Sequence, residues 1–227
     1  LPLLLMVFIA ACAGHPAARA ALLAIDFGSE NLKMCLVKPG RTPISIVVNE
    51  FSRRKSPSLV GVIAGDRVVG EEGSTMAVKR PQEVFLRTRD LLGRRADDPN
   101  LKEMLDAHLL PYEVAPHPRR AGRAALVAPA GSLEKDASAA AGEPVLFPPE
   151  ELVASVLQYA REAAELYSNG GKPLAGAGGS GGAGGAAKAQ GSIVDAVIAV
   201  PAWWGLEQRR ALADAAGLAG LNLLALI

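Results

Sequence analysis

The sequence predicts an α/β fold, and three stretches carry that prediction. Residues 22–37, LLAIDFGSENLKMCLV, hold two short apolar runs separated by turn residues. Runs of this kind form buried strands, so the stretch is a β-hairpin with Asp26 ending its first strand and Gly28 in its tip. Residues 148–167 open with Pro148-Pro149-Glu150-Glu151, prolines and acids suited to a first helical turn. Leu152, Val156, Tyr159, Ala163 and Leu166 then recur at threes and fours, predicting a helix with one apolar face. Residues 193–227 hold a Val/Ile-rich strand, a helical segment of Ala, Leu, Gln and Arg over 207–219, a Gly220-Leu221-Asn222 stop, and a second strand. A strand–helix–strand unit beside a hairpin requires a sheet with helices packed on it.

In chain order, residues 1–14 are apolar and uncharged, too short for a comfortable membrane span, and lead to the small-x-small site Ala18-Arg19-Ala20. This is the pattern of a secretory signal peptide over residues 1–20, incomplete at its start, and its removal takes Cys12 with it. Cys35 then remains, expected as a buried core thiol on the second hairpin strand. The hairpin tip has two readings. Asp26, Gly28, Ser29 and Glu30 are ordinary turn chemistry. Equally, the tip offers backbone N–H groups and a hydroxyl to a phosphate, with Asp26 placed to hold magnesium through water.

Residues 44–48 continue the sheet, Ser56-Pro57 breaks the chain, and residues 59–63 and 67–69 form a hairpin across Ala64-Gly65-Asp66. Residues 84–92 are expected as a short helix stopped at Gly93, with Arg87, Arg89, Arg94 and Arg95 forming a polar face in the bland reading. Residues 106–142 read as irregular, with 124–127 and 145–147 pairing as edge strands. Residues 169–192 are a Gly/Ala tract and read as a loop insertion. Gly176 to Gly181 formally spell G-x-G-x-x-G, but no strand enters and no periodic helix leaves, so a dinucleotide site is rejected. The sequence contains no P-loop motif.

Composition removes several functions. The 227 residues are half hydrophobic, with a net charge of +1, which gives no reason to expect a nucleic-acid partner. The short basic runs, such as Arg53-Arg54-Lys55, are solvated faces. Two cysteines form no disulfide framework, and the three histidines are scattered, without zinc-ligand spacing.

The hairpin, FLRTRDLLGR at 85–94 and DAVIAVPAWWGLEQRRALADAAGLAGLNLLALI at 195–227 together resemble, in order, the seventy-kilodalton heat-shock protein family. SRRKSPS at 52–58 and LLGRRADDPN at 91–100 are most similar to its large endoplasmic-reticulum members, the hypoxia up-regulated type. The resemblance implies an actin-like (ribonuclease H-like) ATPase first lobe over residues 21–227, incomplete, with a small peripheral subdomain within residues 50–149. It implies ATP or ADP at Asp26, Gly28, Ser29 and Glu30, with Asp26 holding magnesium through water and counted, with Arg89, among the catalytic residues.

At the position of the family's lysine, which reaches the γ-phosphate and the attacking water, this chain has Arg89. An arginine neutralises phosphate but lacks the compact charge beside the water, so binding is expected to persist while hydrolysis falls. Gln208 and Arg209 match the family's linker-sensing surface, Gly205-Leu206 replaces its Asn-Asp pair, and Trp203-Trp204, in place of its aromatic pair, is expected to pack in the core.

The implied function is an ATP-binding chaperone of the endoplasmic reticulum lumen. It would hold unfolded polypeptides and promote nucleotide exchange on a conventional lumenal heat-shock chaperone, with no nucleic acid and no membrane after signal cleavage. Alternatives are an ATP-hydrolysing chaperone with a full release cycle, a small-molecule kinase on the same scaffold, and a secreted structural module.

Overall fold

A computed structural model describes residues 21–38, 44–133, 143–170 and 193–227. The signal-peptide segment, and the Gly/Ala tract from residue 171 onward, lie outside the described residues. The main sheet is mixed and runs β12-β11-β1-β2-β3. β1 (Leu22–Phe27) and β2 (Asn31–Val37) form the expected hairpin, in register from Leu22↔Val37 to Phe27↔Leu32. β3 (Ile44–Val47) adds antiparallel to β2, while β11 (Asp195–Ala199) and β12 (Asn222–Leu226) lie parallel beside β1.

Alternation places Leu23, Ile25, Phe27, Leu32, Met34 and Leu36 on one fully buried face. Helix α4 (Pro149–Ser168) and helix α5 (Leu206–Leu218) share the core that this face builds. Cys35 falls on the opposite face and is half-buried, not a core thiol: the period of two that buries Met34 and Leu36 turns Cys35 away.

α4 begins where its prolines and acids predict, and Glu150 and Glu151 also pair with Arg120 and Arg67. Leu152 and Val156 are buried, but Tyr159, Ala163 and Leu166 are only half-buried. The buried surface is wider than the predicted face and takes in Val153, Leu157, Ala160 and Ala164, because both sheet and α5 cover the helix.

Two small antiparallel sheets lie between β3 and α4. One is β6-β5-β7, from β5 (Leu59–Ile63), β6 (Asp66–Val69) and β7 (Val84–Leu86). The other is β10-β9-β8, from β8 (Glu113–Pro116), β9 (Ala124–Ala128) and β10 (Val145–Phe147). Thus 113–116 is ordered strand, and β9 is the central strand of its sheet, not an edge. Ser56-Pro57 is not a break either, for it forms β4, a two-residue strand on β2.

Residues 84–92 depart most from expectation. Val84 and Phe85 are fully buried and pair with β5; Arg87 turns the chain at φ 57°, and only Thr88–Leu91 (α2) is helical. A β-branched residue and an aromatic packed on both sides favour strand over helix. Phe85 meets Tyr112 edge-on at 5.0 Å and Phe147 at 6.2 Å, which ties the two small sheets together.

Two helices lacked a periodic signal. α1 (Gly70–Lys79) buries only Gly70 and Gly73, and α3 (Pro99–Asp106) buries only Leu101. The one signal that marks α3 is its cap: Asp98 accepts from Asn100 N at 2.9 Å, and Pro99 sits at the first helical position. Among the described residues no helix is long and apolar enough to cross a membrane.

Candidate phosphate-binding hairpin

The site forms where strands end. β1 and β11 run parallel, with Asp26 level with Ala199, so the hairpin tip and residues 200–205 emerge at the same edge. Groups outside the carboxyl ends of parallel strands are open to a ligand, because no further strand covers them. The tip is held by Gly28 N donating to Asn31 O at 3.1 Å. A Cβ on Gly28 would lie 2.4 Å from that carbonyl oxygen, so the tightness of the turn requires glycine.

Asp26 is the penultimate residue of β1, one short of the strand end expected for it, with its side chain 54% exposed and paired with Lys33 Nζ at 2.5 Å across the hairpin. Ser29 and Glu30 follow in the tip. The α2 segment lies against them: Arg89 Nη1 donates to Phe27 O at 2.8 Å, and Arg89 Nη2 donates to Ser29 Oγ at 2.5 Å. Ser29 Oγ donates to Asp90 Oδ1 at 2.9 Å, and Arg89 Nη2 reaches the same oxygen at 3.1 Å. Arg87 Nη1 lies 3.9 Å from Glu30, and its Nε lies 3.3 Å from Asp90 Oδ2, an ion pair without hydrogen-bond geometry.

Arg89 thus reaches Ser29 from sixty residues away, while Asp26, Gly28 and Glu30 lie on the same hairpin, the Asp26 carboxylate facing Lys33 and Glu30 facing Arg87. Arg94 and Arg95 pair with Asp98 and Asp97, and Arg94 Nε also donates to Asp90 O at 2.6 Å. Four arginines on one helix face are not formed, since α2 is a single turn.

Behind the tip, the Arg89 guanidinium carbon sits 5.9 Å from the centre of the Trp204 ring, and Arg209 Nε donates to Trp204 O at 3.0 Å. Trp204 packs at the margin of the core, but Trp203 is 83% exposed, contrary to the expected burial. Consecutive residues in the turn after β11 point to opposite sides, and only one of the pair faces inward. Gly93, at φ 64°, rests against the first turn of α5, where a Cβ would meet Glu207 backbone atoms at 2.6 Å. Arg123 bridges this contact: Nη1 donates to Gly93 O at 2.6 Å, and Nη2 pairs with Glu207. Its hydrogen bond holds the Glu207 carboxyl below the usual carboxylate range.

Two features here were invisible in sequence. Asp90 stands in the quoted run FLRTRDLLGR, but nothing local marks it as the acceptor for a serine 61 residues away. The Phe27 carbonyl carries no side-chain signal at all.

A magnesium ion demands hard oxygen donors and keeps most of its waters. An exposed carboxylate at the carboxyl end of β1 meets that demand through water, provided Lys33 turns aside. Bound magnesium supplies charge neutralisation to phosphates, and Asp26 is the residue here that would hold it.

Comparison with known proteins bears on the fold and family. The family model described as Hsp70 protein matches residues 22–175 and 184–227. Hypoxia up-regulated protein 1 of Xenopus laevis is 33% identical over 207 residues, covering 91% of this chain and 26% of that protein. The proteins of the same name from Mus musculus and Homo sapiens are 32% and 31% identical over the same share of this chain, which spans 17% of each. The mixed sheet with its helices is consistent with the Hsp70 actin-like ATPase lobe, a fold that implies nucleotide binding. The chain belongs to the Hsp70 protein family.

Proposed function

We propose that this chain is the ribonuclease H-like first lobe of an ATP-binding chaperone of the endoplasmic reticulum lumen. In this reading it holds unfolded polypeptides and promotes nucleotide exchange on a conventional lumenal heat-shock chaperone. Gly28, Ser29 and Glu30 receive the phosphates of ATP or ADP, with Asp26 holding magnesium through water. The observation that carries this is the convergence of Arg89 on the hairpin tip, where it bonds Phe27 O and Ser29 Oγ. A cation brought across the fold to a glycine-tipped turn at the carboxyl end of the central strand is suited to a phosphate.

The chain's own groups then divide the work. The Ser29 hydroxyl and tip N–H groups orient phosphate oxygens, and Arg89 neutralises their charge. The planar guanidinium, spread over Phe27 O, Ser29 and Trp204, cannot concentrate charge beside an attacking water as an ammonium does. Nucleotide is held and turns over slowly, which suits a holding and exchange role better than a rapid release cycle. Residues 21–227 alone are expected to bind nucleotide weakly or not at all, since the chain spans about a quarter or less of the length of the relatives it matches.

Single-turnover ATP hydrolysis by the full-length protein tests the division. Slow turnover that rises with Arg89→Lys, while affinity changes little, supports it. Brisk turnover in the unmodified protein, unchanged by Arg89→Lys, overturns it in favour of an ATP-driven chaperone with a full release cycle.

A further inference from the structure

We propose that Asp90 is an internal competitor for the phosphate position, an anion supplied by the chain itself that must be displaced before a ligand phosphate binds. This rests on the reading of the hairpin as a phosphate site. The two side chains best suited to grip a phosphate oxygen there are the Ser29 hydroxyl and the Arg89 guanidinium. Both already point at one acceptor, Asp90 Oδ1, at 2.9 and 3.1 Å, and Arg89 Nε adds a third contact at 3.2 Å. With the 2.5 Å bond between Arg89 and Ser29, the three groups close a triangle that joins the hairpin to α2.

Charge tells the same story. The tip carries three cations, Lys33, Arg87 and Arg89, and three carboxylates, Asp26, Glu30 and Asp90, each cation lying against a carboxylate. Arg89 and Asp90 are both largely buried, at 14% and 16% side-chain exposure, so their pairing is little screened by solvent. Among the described residues an incoming phosphate therefore meets no free cation at the tip and must exchange places with the Asp90 carboxylate. The device favours ligands with several negative charges over a single weak anion. It also makes the closed triangle the resting state.

The test uses inorganic pyrophosphate without metal, read by fluorescence. Trp203 and Trp204 lie beside the site, so in the full-length protein a Trp203→Phe background is used and the signal is assigned to Trp204, under Arg89, by its loss in a Trp204→Phe control. Asp90→Asn keeps shape and hydrogen-bonding capacity while removing the charge. Pyrophosphate is expected to bind weakly to the background protein and about tenfold more tightly to the Asp90→Asn form, as a charge-assisted competitor is lost. Adding Ser29→Ala should cancel most of that gain. Equal or weaker binding by Asp90→Asn, with Ser29→Ala weakening both forms, overturns the competitor while leaving the phosphate hairpin intact. No saturable binding even by Asp90→Asn overturns both, since that variant frees the donors the site depends on.

Discussion

Replacing Gly28 by alanine isolates the turn on which the phosphate site is built. The added Cβ would sit 2.4 Å from Asn31 O, whereas a carbon–oxygen contact settles at about 3.3 Å. The two arms must therefore part by about an ångström at the tip, enough to break the 3.1 Å bond from Gly28 N to Asn31 O. Losing that bond costs about 1 kcal/mol, and the strain of the displaced turn adds about 1–3 kcal/mol. The expected total, about 2–4 kcal/mol, is read as a lowered midpoint in urea unfolding followed by circular dichroism. Gly217→Ala is the matched control. Gly217 lies in α5 with no atom within 4 Å of an added Cβ, so alanine there gains up to about 1 kcal/mol from helix propensity. A Gly28→Ala midpoint indistinguishable from the parent would refute the close-approach argument.

Phe85→Ala should cost about 3–5 kcal/mol in the same assay, because Phe85 is fully buried between Tyr112 and Phe147; a loss below about 1 kcal/mol would show that the small sheets do not share a core. Burial raises the phenol of Tyr112, and burial together with the neighbouring Glu50 carboxylate raises that of Tyr159. Their stabilising contribution is complete below the ordinary phenol pKa near 10 and is lost as pH rises above it, since only the unfolded chain ionises readily there. Native absorbance at 295 nm should accordingly lack part of its phenolate signal at pH 11 and gain it on unfolding; full ionisation in the native protein would contradict the burial of both rings.

How much was legible in sequence follows from how local each signal is. The hairpin, the long helix and the final strand–helix–strand unit each carry their own period and stop residues, and they fold where those residues place them. Residues 84–86 misled because an apolar run of three has no usable period; burial on both faces by β5 and Tyr112 decided for strand. α1 and α3 bury one or two residues apiece, too few to write a pattern. Cys35 and Trp203 were assigned to the core on residue type, whereas strand alternation and turn direction put them outside it. At the site, the turn residues could be named in advance, but the Ser29–Arg89–Asp90 triangle spans some sixty residues and exists only once β7 gives way to the turn at Arg87.

The central claim is that the hairpin holds nucleotide phosphates, with Asp26 tying the metal to the sheet. Calorimetric titration of magnesium-ADP into the full-length protein, unmodified and with Asp26→Ala, tests it most directly. Losing a charge-assisted contact of about 2 kcal/mol should weaken binding about thirtyfold, with the fold unchanged, since Asp26 is exposed and its pair with Lys33 is a surface ion pair of little worth to stability. Unaltered affinity in the Asp26→Ala protein would contradict the account and place the nucleotide, if any binds, away from this hairpin.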